Sequence, residues 1–103
     1  MDMAKVDELC KQTELANNRV SANMRALLTV KQLRKDVSSK RIDSFVLRMN
    51  ETAVKINVTG KHGGAKRLQG LFDAITHDCK SAIAKDLAEI TWCSEQLLAM
   101  LDN

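Results

Sequence analysis

Apolar and small residues recur through the first part of the chain as Met3, Val6, Leu9, Cys10, Thr13, Val20, Met24, Leu27 and Leu28. At 100° per residue they fall in one stripe, which predicts an amphipathic helix from Asp2 to about Leu28. Asp2 stands where it can cap the N-terminus, and Asp7 and Glu8 lie near the first turns, where acids complement the helix dipole. Beyond Leu28 the same stripe is taken by Lys31, Arg34 and Lys35, while Val30, Leu33 and Val37 move round to another face. A helix that continues there changes its core contact.

Ser38 and Ser39 punctuate the chain, and Ile42, Phe45, Val46, Met49, Ala53 and Ile56 then give a second stripe at helical spacing that runs out at Gly60. Val54, Ile56 and Val58 also alternate as in a short strand. Six positions fit the helical template against three for the strand, so a helix is expected. Gly60-Lys61-His62-Gly63-Gly64 holds three glycines in five residues, too costly for a helix, and reads as a loop. After it Leu68, Leu71, Phe72, Ile75, Cys79, Ala82, Ile83, Ile90, Cys93, Leu97, Met100 and Leu101 keep to roughly a third of the helical circumference. Thr76-His77-Asp78 is the place where this third segment would break, if it breaks.

The pattern predicts an all-α protein with two long amphipathic helices flanking a shorter one, as a single helical domain over residues 1–103. No proline or tyrosine is present and only Phe45, Phe72 and Trp92 are aromatic, so helix breakers and strand formers are both scarce. The middle helix is too short to cover both flanking stripes. Either the third segment folds back on itself or two chains pair, and a helical bundle completed by homodimerisation is the expectation.

Charge changes the picture more than composition does. The net charge of +3 conceals balances of −2 over residues 1–18, +9 over residues 19–67 and −4 over residues 68–103. The middle stretch carries twelve of the sixteen bases and only Asp36, Asp43 and Glu51 as acids, whereas an ordinary surface mixes signs to gain i,i+4 pairs. On the expected middle helix Arg41, Arg48 and Lys55, seven apart, would form a ladder with rungs about 10 Å apart, suited to successive phosphates. Lys31, Arg34, Lys35 and Lys40 precede it, and Lys61, Lys66 and Arg67 follow it. These ten residues are the candidate nucleic-acid-binding set. With Phe45 and Phe72 on apolar stripes, base stacking has few platforms, and a duplex, RNA or DNA, contacted through its backbone fits better than a single strand. The competing expectation is a protein-interaction module, an adaptor, inhibitor or chaperone, acting through exposed apolar stripes.

No convergent catalytic set is evident, and no enzyme, metal site or cofactor is expected. His77-Asp78-Cys79 brings a base, an acid and a thiol together in sequence, but on a helix His77 and Cys79 diverge. The glycines of residues 60–64 precede a helix start as in a phosphate-cradling loop, yet lack the Gly-Lys-Ser/Thr ending. Asp86 interrupts the third stripe, where an unpaired carboxylate is costly, and must find a cation or an opening to solvent. Trp92 lies on the polar side of the same helix. Three widely spaced cysteines, Cys10, Cys79 and Cys93, argue against a disulfide framework, and a polar, acidic start argues against a signal peptide. Without a run of about 18 apolar residues no membrane span is expected, and a cytoplasmic or nuclear protein is.

Overall fold

The computed structural model describes residues 2–38, 44–49, 52–57 and 64–102. Two long helices, α1 (Met3–Ser38) and α2 (Gly64–Leu101), flank two strands, β1 (Ser44–Met49) and β2 (Thr52–Asn57). The long helices agree with the apolar periodicity, and α2 is unbroken through Thr76-His77-Asp78. Asp2 caps α1 as expected, its Oδ1 accepting the Lys5 N–H at 3.2 Å. The loop expected at residues 60–64 lies outside the described residues except for Gly64, which opens α2.

The short middle helix is not formed. Residues 44–57 instead hold an antiparallel pair with Phe45 opposite Ile56, Leu47 opposite Val54 and Met49 opposite Thr52. The reason lies in side-chain branching and register. Thr52, Val54 and Ile56 are β-branched, a class that favours strands, and the register pairs them with Met49, Leu47 and Phe45. The register also pairs Ser44 with Asn57, Val46 with Lys55 and Arg48 with Ala53.

The chain groups into two compact units, a terminal unit of Met1–Ala26 with Asp78–Asn103 and a central unit of Leu27–His77. In the central unit Val30, Leu68 and Phe72 are buried together, with Leu33, Val37, Leu71 and Ile75 packed against them. In the terminal unit the buried residues are Leu9, Ala16, Cys79, Asp86 and Cys93. Cys79, Asp86 and Cys93 are strictly seven apart, as are Leu9 and Ala16, the spacing that keeps one line of a helix against a single neighbouring helix.

This buried line is narrow, and it is not the strongest apolar stripe of α1. Met3, Met24 and Leu28, all members of the expected core stripe, remain more than half exposed, while Ala16 and Val30 are buried in their stead. On α2 Leu87, Leu98 and Leu101 are likewise exposed. Polar residues within the helices settle their hydroxyl or amide groups on the preceding turn: Thr13, Asn23, Thr91 and Ser94 each donate to the carbonyl four residues back.

Asp86 is 6% exposed and meets its cation in Arg19, whose Nε donates to Oδ1 at 3.1 Å and whose Nη2 lies 3.0 Å from the same oxygen. The Arg19 Nη2 also reaches Glu89 Oε2 at 3.0 Å. Further along the unit the Cys93 thiol donates to Gln12 Oε1 at 3.5 Å. Residue numbers fall on α2 as they rise on α1, so the two segments of the terminal unit run antiparallel.

Two stability outcomes are expected. Arg19→Met strands a buried carboxylate and should cost about 2–3 kcal/mol, less than a fully buried pair because Arg19 is half exposed. Asp86→Leu removes the buried charge and should stay within about 1 kcal/mol of the parent or exceed it. Urea denaturation of both variants checks this, and equal losses would refute the asymmetry. Gly70 is exposed on α2 with nothing within 4 Å of an added Cβ, so Gly70→Ala should raise stability by about 0.5–1 kcal/mol in the same assay.

Candidate nucleic-acid interface

All ten candidate residues belong to the central unit and are its only bases. They stand against four acids, Asp36, Asp43, Glu51 and Asp73, for a balance of +6. The terminal unit carries six bases against nine acids, a balance of −3. The division of charge along the chain therefore follows its division into packed units.

The expected ladder of Arg41, Arg48 and Lys55 is overturned, because a helix is needed to stack residues seven apart and residues 44–57 pair as strands. In the strand register Arg48 pairs with Ala53 and Lys55 with Val46. Lys55 is exposed. Lys40, Arg41 and Lys61 lie outside the described residues.

On the helices, Lys31, Lys35, Lys66 and Arg67 are exposed, and none of them, nor Lys55, pairs with an acid among the described residues. Lys31 follows buried Val30 by one position and Lys66 precedes buried Phe72 by six, which places both on the side of the helix pair that carries the Arg34–Asp73 bridge. Lys35 lies next to Arg34 toward that same side.

Arg34 is different from its neighbours. Its Nη1 donates to Gln69 Oε1 and its Nη2 to Asp73 Oδ1, both at 2.6 Å, and its guanidinium lies 5.4 Å from the Phe72 ring centroid. The planar fork spends its donors and its face on the fold, tying α1 to α2 over the central core. Nothing in the spacing of Lys31, Arg34 and Lys35 separates this structural arginine from the two lysines. Only its position four after buried Val30, at the edge of the packed line, hints at it.

Among the other motifs, His77 and Asp78 are exposed and Cys79 is buried, so the three side chains diverge. No group of three His, Cys, Asp or Glu among the described residues is placed to hold a metal ion. Among the described residues no helix is long and apolar enough to cross a membrane. Of the aromatic residues, Phe72 is buried in the central unit and Trp92 is exposed in the terminal one.

Comparison with protein-family models, with curated proteins and with solved structures finds no match. The reading of this chain rests on its own residues.

Arg34→Ala should lower stability by about 1–2 kcal/mol, through one exposed ion pair, one hydrogen bond and the ring contact. Arg34→Lys should recover under half of that, since an ammonium lacks the fork. Thermal melts of the two variants decide it, and a full recovery by lysine would show that charge alone matters at this position.

Proposed function

We propose that this chain is a non-enzymatic nucleic-acid-binding protein that holds a duplex, RNA or DNA, by its backbone through the basic central unit, with little sequence preference, and that it works as a homodimer in the cytoplasm or nucleus. The observation that carries the reading is the segregation of charge: one packed unit has a balance of +6 and the other −3, in a chain whose net charge is only +3. Lys31, Lys35, Lys55, Lys66 and Arg67 are exposed and unpaired among the described residues, and are therefore available to phosphates.

The duplex is favoured over single strands because the one described aromatic side chain of the central unit, Phe72, is buried beneath Arg34. Backbone contact by lysine and arginine carries affinity without sequence information. The three cysteines are free, in keeping with a reducing compartment. A second reading, an interaction module for another protein, draws on the exposed Met3, Met24, Leu87 and Leu101 and requires no nucleic acid.

The test is binding of the purified chain to labelled duplex RNA, duplex DNA and single strands across a salt series. Five phosphate contacts predict a log–log salt slope of about −4 to −5 on duplex DNA, and Lys31→Glu with Lys35→Glu should flatten it by about 2 while leaving the helical signal unchanged. Absence of binding to every duplex at low salt would overturn the proposal and favour the protein-interaction reading.

A further inference from the structure

We propose that Arg34 is a phosphate ligand held in reserve, and that Asp73 occupies the place of the phosphate until a nucleic-acid backbone displaces it. The inference rests on the duplex-binding reading above and names the residue that restrains that binding.

Arg34 stands in the middle of the basic side of the central unit. Lys31 lies three positions before it and Lys35 one after it on α1, and Lys66 lies on the same side of α2. Asp73, one position after buried Phe72, places its carboxylate on Arg34 among these cations. The other described acid of the unit, Asp36, is six positions after buried Val30 and falls on the opposite side, where Gln32 donates to it at 3.1 Å. Among the described residues of the unit, Asp73 is thus the one acid on the side that carries Lys31, Arg34, Lys35 and Lys66.

Three features suit an exchange of anions at this position. First, the Asp73 side chain is 73% exposed and that of Arg34 31%, and a pair so open to water is weak. The carboxylate can swing out into solvent, where it is hydrated at once. Second, Arg34 does not depend on Asp73 to stay in place. Its Nη1 donates to Gln69 Oε1 at 2.6 Å and its guanidinium lies 5.4 Å from the Phe72 ring centroid, so Nη2 can change its acceptor while the rest of the group is held. Third, unused donors surround the position. Two of the five guanidinium N–H groups are engaged among the described residues, and Gln69, having given its Oε1 to Arg34, keeps an Nε2 amide that donates to none of them. A phosphodiester offers two charged oxygens to such a set, and a guanidinium fork fits phosphate as well as it fits carboxylate.

The exchange has a thermodynamic signature. In the parent one anion replaces another at Arg34, so the freed Asp73 takes up a cation as the phosphate releases one, and Arg34 adds almost nothing to the salt slope. With the charge of Asp73 removed, Arg34 contributes as a full phosphate contact.

The experiment is binding of labelled duplex DNA across a salt series by the parent, Asp73→Asn, Asp36→Asn and Asp73→Asn/Arg34→Gln, with the helical signal of each followed alongside. Asp73→Asn should bind roughly five- to tenfold more tightly than the parent at about 0.1 M salt and steepen the log–log slope by about 0.9, the effect of one added phosphate contact. Asp36→Asn removes the same charge from the opposite side of the same unit and should leave the slope unchanged, and the double variant should lose the gain. No gain in Asp73→Asn, an equal gain in Asp36→Asn, or a gain that survives Arg34→Gln would overturn the exchange at Arg34 while leaving duplex binding intact. Absence of binding by the parent and by Asp73→Asn alike would overturn both. Should the double variant fail to fold, the Arg34 Nε–H resonance of the parent decides: a shift that saturates with duplex binding supports the exchange, and a resonance that stays unmoved in the bound state refutes it.

Discussion

Two helices packed against each other alone share only the line along which they touch, and every other apolar residue must find cover elsewhere or stay in water. In the terminal unit that line holds Leu9, Ala16, Cys79, Asp86 and Cys93, mostly small residues and one carboxylate. Small side chains fill the line without contributing much apolar area, since each buried methylene is worth only about 0.8 kcal/mol. The larger side chains of the same segments, Met24 and Leu87 among them, are left outside it. The central unit is built otherwise, with Val30, Leu68 and Phe72 buried together and Arg34 laid over the ring.

Such a line gives little information about register, because small apolar residues pack almost equally well after a slip of one turn. Asp86 supplies what they lack. A carboxylate that is 6% exposed tolerates only an arrangement that brings a cation to it, and Arg19 does so while also reaching Glu89. Sliding α1 by a turn against α2 would leave Asp86 without its partner in a low-dielectric setting, which is the more costly error. Specificity of pairing, more than net stability, is what this ion pair contributes.

Both long helices were legible from apolar spacing, as was the cap at Asp2 and the need of Asp86 for a cation. Its identity was not, because Arg19 is 67 residues away and equivalent in sequence to any other exposed arginine. The buried face of α1 is not its densest apolar stripe: the structure buries Ala16 and leaves Met3, Met24 and Leu28 exposed. In the middle segment the helical period of the apolar positions competes with β-branching at Thr52, Val54 and Ile56, and the strand prevails. Asn50-Glu51, between the strands, also lacks the Asn-Gly or Asp-Gly signature by which short hairpins are recognised. At the candidate interface the clustering of bases was plain in sequence, but the separation of Arg34 from Lys31 and Lys35 needed coordinates, since it turns on Gln69, Phe72 and Asp73.

The two properties proposed for this chain, duplex binding and self-association, constrain each other. A central unit with a balance of +6 opposes its own copy, and that opposition extends over about 8–10 Å at physiological salt before screening removes it. A polyanion acts in the opposite sense: phosphates neutralise the basic units of both copies at once, so a duplex long enough to meet both would strengthen the dimer while the dimer strengthens binding by joining two sites.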